Sequence, residues 1–138
     1  VTDTKTIRNK IIDILKAYSA LSAVKSWLIG EPPRAKYPSF PFGWVEWNRG
    51  PLSAPIGLSQ IYEDEFFVVI VDRHPDADKA ENNVETFVSK IEDALAADPS
   101  INGLVAASYV KLREKTKVFE ADASLAAVRL TLWSRRKE

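Results

Sequence analysis

The chain has 138 residues and a mass of 15.5 kDa, and its 19 basic and 19 acidic side chains cancel. This is the length of one domain, able to bury about two-thirds of its unfolded surface without a metal or a disulfide, so residues 1–138 are read as a single unit. The absence of cysteine excludes disulfides, thiolate nucleophiles and Cys-containing zinc sites, and a single histidine, His74, excludes a multi-histidine metal site or a His–His acid/base pair within one chain. Zero net charge argues against a general nucleic-acid binder.

Residues 1–10 are polar, without the apolar stretch of a signal peptide. The longest apolar run, Phe66–Val71, is far short of the roughly 20 residues that span a membrane. A soluble protein used in a cytosol is expected.

Residues 4–28 read as one long amphipathic helix, because Ile7, Ile11, Ile14, Leu15, Tyr18, Leu21, Val24 and Leu28 recur at helical steps. Gly30 and Pro32–Pro33 stop it. A proline-rich connector follows over 31–41. Residues 42–48 read as a strand with Phe42 and Trp44 on one face and Val45 and Trp47 on the other. Trp44 and Trp47 cannot enter the same apolar layer, so either one of them, taken here as Trp47, is a candidate interface anchor, or both are core residues of a doubly covered strand. Residues 49–59 are an unusually long connection between strands, broken by two glycines and two prolines. Leu52, Ile56 and Leu58 make it apolar, and an apolar long loop is expected to dock on something.

Residues 60–73 form the strongest strand, apolar at both parities over 66–71, as in a central strand covered on both faces. Glu63, Asp64 and Glu65 are expected at its exposed end. A second helix is predicted over 77–97, with Val84, Phe87, Val88, Ile91, Ala94 and Leu95 inward. Strands at 104–113 and 125–133 follow, separated by a turn at 114–117. The order helix-strand-strand-helix-strand-strand gives an α+β fold, a mainly antiparallel sheet carrying two helices.

Asp72, His74, Asp76 and Asp78 have the chemistry of a divalent-metal site. They fall where a strand ends and a helix begins, however, and there aspartates cap free N–H groups; capping is the reading adopted, with no metal and no cofactor. Lys111, Arg113, Lys115 and Lys117 alternate. On one straight strand they share a face that could meet phosphate oxygens, but the neutral charge balance favours a solvated edge or a basic stripe meeting Glu63, Asp64 and Glu65 of a neighbouring copy. No nucleophile elbow, phosphate loop, dinucleotide fingerprint or calcium loop occurs, and no catalytic residue is assigned.

The layout resembles a family. After the N-terminal helix comes Tyr37-Pro38-Ser39-Phe40-Pro41-Phe42, then strand, long loop and hydrophobic strand. A helix ending in Asp98-Pro99-Ser100-Ile101-Asn102-Gly103-Leu104 and two final strands complete it. This is similar to the tail terminator (tail completion, minor tail protein U-like) proteins of long-tailed bacteriophages. The resemblance implies a non-enzymatic virion protein of the tail or neck, assembled in the host cytoplasm. It implies a hexameric ring that caps the tail tube, stops its polymerisation and joins it to the head connector. Its partners are then further copies of itself, the tail tube protein and the connector or neck protein, with DNA only as passing cargo and no membrane. The 49–59 loop is the expected arm between neighbours; residues 31–37, 111–117 and 135–138 are candidates for the ring surface or lumen. A head–tail neck or adaptor subunit is the alternative in the same class, and a small ligand-binding α+β module whose aromatics line a pocket is the alternative outside it.

Overall fold

The computed structural model describes residues 3–50, 55–56, 59–60, 62–119 and 123–136. The first helix, α1, spans Thr4–Ala17, capped by the Asp3 carboxylate accepting from the Thr6 amide at 2.7 Å. It ends eleven residues earlier than the periodicity suggests. Tyr18 is extended (φ −75°, ψ 112°), Ser19–Leu21 make one 3-10 turn, and Ser26–Ile29 form a strand, β1. The predicted helix over 4–28 is therefore two elements. Leu21 and Val24 still enter the helix-side core, but from a turn, and Trp27 does so from β1. β1 runs parallel to β2 (Phe42–Arg49), with Ser26 opposite Phe42 and Ile29 opposite Val45. The join is close: a Cβ on Gly43 would stand 2.6 Å from the Val69 carbonyl oxygen and press into the Trp27 ring, so only glycine lets the indole lie flat on β2.

After β2 comes a two-residue pair, β3 (Pro55–Ile56) with β4 (Ser59–Gln60), which joins neither edge of the main sheet. β5 (Glu63–His74), the helix α2 (Ala77–Ala97), β6 (Val105–Phe119) and β7 (Ser124–Arg136) complete the chain. The five-stranded sheet has the order β1-β2-β5-β7-β6. The β2–β5, β5–β7 and β6–β7 pairings are antiparallel and only β1–β2 is parallel, so the sheet is mixed. The fold is α+β with two helices, as expected, but the element order gains β1 between α1 and β2 and the short β3–β4 pair between β2 and β5. A second correction concerns residues 114–117, predicted as a turn. They continue β6, because Glu114 pairs with Arg129 on the next strand at 2.6 Å and Lys115 reaches Glu81 and Glu85 of α2 at 3.0 and 3.1 Å. Alternating charges there were satisfied across the sheet rather than by solvent at a bend.

Both helices cover one face. Ile7, Ile11 and Leu15 of α1 and Val84, Val88 and Ile91 of α2 meet Val45, Phe66, Val68, Ile70, Val128 and Leu130 from the sheet. The second face carries a smaller cluster, Phe42, Trp44, Val69, Val71 and Leu125. Tyr37 and Phe40 of the proline-rich connector pack against it, their rings 5.0 and 5.4 Å from that of Phe42. β5 is central and buried on both sides, as its double-parity apolar pattern requires.

Candidate interface surfaces

The expected arm, residues 49–59, lies partly outside the described residues: Leu52 and Leu58 are not among them, and Ile56 is described only as a backbone position of β3. Its root is well defined. Arg49 and Gly50 leave the sheet on one side and Glu63 enters it on the other. Here the expectation of an exposed acidic end is corrected. Asp64 is 0% exposed and Glu65 2%.

Cations of the same chain cover these carboxylates. Arg136 grips Asp64 through Nε (2.7 Å) and Nη2 (3.0 Å), and the exposed Trp47 donates its indole N–H to the same carboxylate at 3.3 Å. Arg135 and the Trp133 indole reach Glu63 at 3.1 and 3.3 Å. Glu65 takes Arg49 at 2.8 Å and Lys111 at 2.9 Å. Gly50 seals the arrangement: its φ of +147° suits glycine, and a Cβ would collide with the Asp64 carboxylate.

Two β-bulges deliver the cations of Glu65. In β2 the register shifts between Trp47 and Arg49, which turns Arg49 onto the second face opposite Glu65. In β6 it shifts between Val110 and Leu112, leaving Lys111 as the extra residue. This second bulge also divides the basic stripe. Lys111 lies on the second face with Glu65, whereas Arg113 and Lys115 turn toward α2, where Arg113 pairs with Glu92 and Lys115 with Glu81 and Glu85. Lys117 stands opposite Ala126 in the register, and its side chain is outside the described residues. The four therefore do not share one face, since the straight strand on which that reading depended is bent.

The same pairing has a pH consequence. The Arg49 hydrogen bond, with Lys111 beside it, holds the Glu65 carboxyl below the usual glutamate range against the opposing effect of burial. A carboxylate whose folded pKa is depressed stabilises the fold above its unfolded value, near pH 4, and that contribution disappears as pH falls through the folded value. Thermal melts at descending pH should show wild type losing stability below about pH 4 more steeply than Glu65→Gln; equal slopes would remove Glu65 from the acid response.

Between α2 and β6 the sheet edge opens into a groove. α2 rests mainly on β5 and β7 and meets β6 much less. A cavity of about 710 Å³ is lined by Leu95, Ala96 and Pro99 from the end of α2 and by Val110, Leu112 and Leu132 from the sheet. The ion pairs from Arg113 to Glu92 and from Lys115 to Glu81 and Glu85 bridge its continuation. At its outer margin Tyr109 and Leu112 are 56% and 49% exposed, and Tyr109 stacks on Trp133 with ring centroids 4.9 Å apart. At the opposite edge, Ile29 on β1 and Trp47 on β2 are exposed. The chain thus offers large apolar side chains at both edges of its sheet. Sequence reading missed the groove, which is formed by residues of α2, β6 and β7 that lie far apart in the chain.

Of the residues weighed as metal ligands, Asp76 is the cap of α2, while His74 and Asp72 accept other local hydrogen bonds. The Asp76 amide donates to His74 Nδ1 at 3.0 Å, Asp76 caps α2 through the Asp78 amide at 2.9 Å, and Asp72 accepts from Asn83 at 3.1 Å. Among the described residues no group of three or more His, Asp or Glu side chains is placed to hold a metal. Among them, too, no helix is long and apolar enough to cross a membrane.

No family model matches the chain, and no curated protein matches it. Among solved structures, the fold is shared with a chain from the virion of a native gene transfer agent particle. The two are 14% identical with a TM-score of 0.60, over 95% of this chain and 94% of that one. At this identity the likeness is one of fold, and it runs end to end.

Proposed function

We propose that the protein is a structural component of a phage-like virion, and within that class a tail terminator. In this reading it forms a hexameric ring at the end of the tail tube, stops further tube polymerisation and joins the tube to the head connector. DNA passes through the ring as cargo, and the site of action is the tail or neck of the particle. The observation that carries the reading is the end-to-end fold likeness to a chain of a virion particle, together with the layout resemblance of the sequence. The surfaces agree with it. A ring needs a heterologous interface, two different patches repeated around an axis, and this subunit presents different apolar patches at its β1 and β6 edges.

The reading is tested by adding the protein to polymerising tail-tube subunits from the same genome. Electron microscopy is expected to show shorter tubes with a ring at one end. Tubes of unchanged length with bare ends, and rings bound to connector complexes instead, would move the assignment to a neck or adaptor subunit.

A further inference from the structure

We infer that the groove between α2 and β6 is the receptor for the 50–61 arm of a neighbouring copy. The inference rests on the ring reading and specifies its interface. The groove floor is apolar, made by Leu95, Ala96, Val110 and Leu132. Its rim charges are already neutralised inside the chain: Arg113 is held by Glu92, and Lys111 by Glu65. An occupant bringing a charge would find no free partner there and would leave that charge desolvated, whereas interface cores are poor in charge and rich in apolar contact.

The stretch from Gly50 to Ile61 meets that requirement, since it carries no charge and includes Leu52, Ile56, Leu58 and Ile61. Its position fits a donated arm. The segment's described strands, β3 and β4, pair with each other and with neither edge of the sheet. The ion cluster of Arg49, Glu63, Asp64, Glu65, Arg135 and Arg136 fixes the root from which it leaves. A fixed root lowers the entropy lost when the arm docks. Donor and receptor are different surfaces of one chain, so the contact is head-to-tail and able to close a ring.

A chain without cysteine makes the test direct. Leu52→Cys, Ile56→Cys and Leu58→Cys proteins are each mixed with an Ala96→Cys protein, or with an Ala17→Cys protein at the exposed end of α1, and oxidised. The expected result is a mixed disulfide dimer with Ala96→Cys from at least one arm position, and none with Ala17→Cys. Ala96→Arg, a change at an exposed helix position, is expected to weaken self-association by about tenfold or more with an unchanged melting midpoint. If the oligomer forms by mass but the arm cross-links to Ala17→Cys or to nothing, and Ala96→Arg assembles normally, the groove assignment is wrong and the ring reading stands. If an Ile56→Cys/Ala96→Cys double variant closes only within one chain, the arm covers its own groove and the inference is overturned. If the chain remains monomeric at every concentration, alone and with tube subunits, the ring reading falls and the inference with it.

Discussion

Removing residues 51–58 is expected to abolish the oligomer and leave a folded monomer. The deletion joins Gly50 to Ser59 and shortens a long connection toward the length of ordinary hairpin loops, so the fold does not depend on it. The ion pairs Arg49–Glu65 and Arg136–Asp64 lie outside the deleted segment and continue to hold β2, β5 and β7 in register. Circular dichroism and thermal melting should match wild type closely, while sedimentation should show the loss of every assembled species. A ring that survives the deletion would show that the arm is not the contact. A chain that fails to fold would show that the segment belongs to the core.

The second large effect is expected at Asp64. It is fully buried, and its partner Arg136 is only 13% exposed. Truncation by Asp64→Ala leaves a largely buried guanidinium and the Trp47 indole N–H without their acceptor. Breaking a buried pair from one side costs about 3–5 kcal/mol, which for a domain of this size lowers the melting midpoint by about 10 °C or more. Replacing both partners with apolar residues, Asp64→Leu with Arg136→Met, is expected to recover much of the loss, because no orphan charge remains. A midpoint within about 2 °C of wild type for Asp64→Ala would mean that water replaces the arginine at little cost and that the root of the arm is not rigidly clamped.

The sequence made α2 and β5 legible for physical reasons. α2 repeats apolar residues at helical spacing between an aspartate cap and Asp98-Pro99, and its bounds are those predicted. β5 is apolar at both parities and proves to be the central strand. The error in α1 came from Leu21, Val24 and Leu28, which keep helical phase by coincidence while Ser19–Leu21 turn and Ser26–Ile29 extend. A short apolar run fits either period, and the choice here was made by the landing of Trp27 on Gly43, a tertiary contact.

The interface surfaces were less legible. The basic stripe was read as one face because alternation assumes a regular strand, and a single extra residue at Lys111 reverses the parity. Glu63, Asp64 and Glu65 look exposed in the sequence because they stand at the end of an apolar strand with no cation nearby in the chain. Their partners Arg135 and Arg136 come from the far end of the chain, with Arg136 72 residues from Asp64. The charge balance therefore has a more specific meaning than two complementary outer patches. Three of the acids and four of the bases form an internal clamp next to the uncharged 50–61 segment.

Native mass measurement of the purified chain over a range of concentrations tests the central claim most directly. The account predicts a discrete species of six chains, formed alone or in the presence of tail-tube subunits. A strictly monomeric chain at high concentration under both conditions would contradict it.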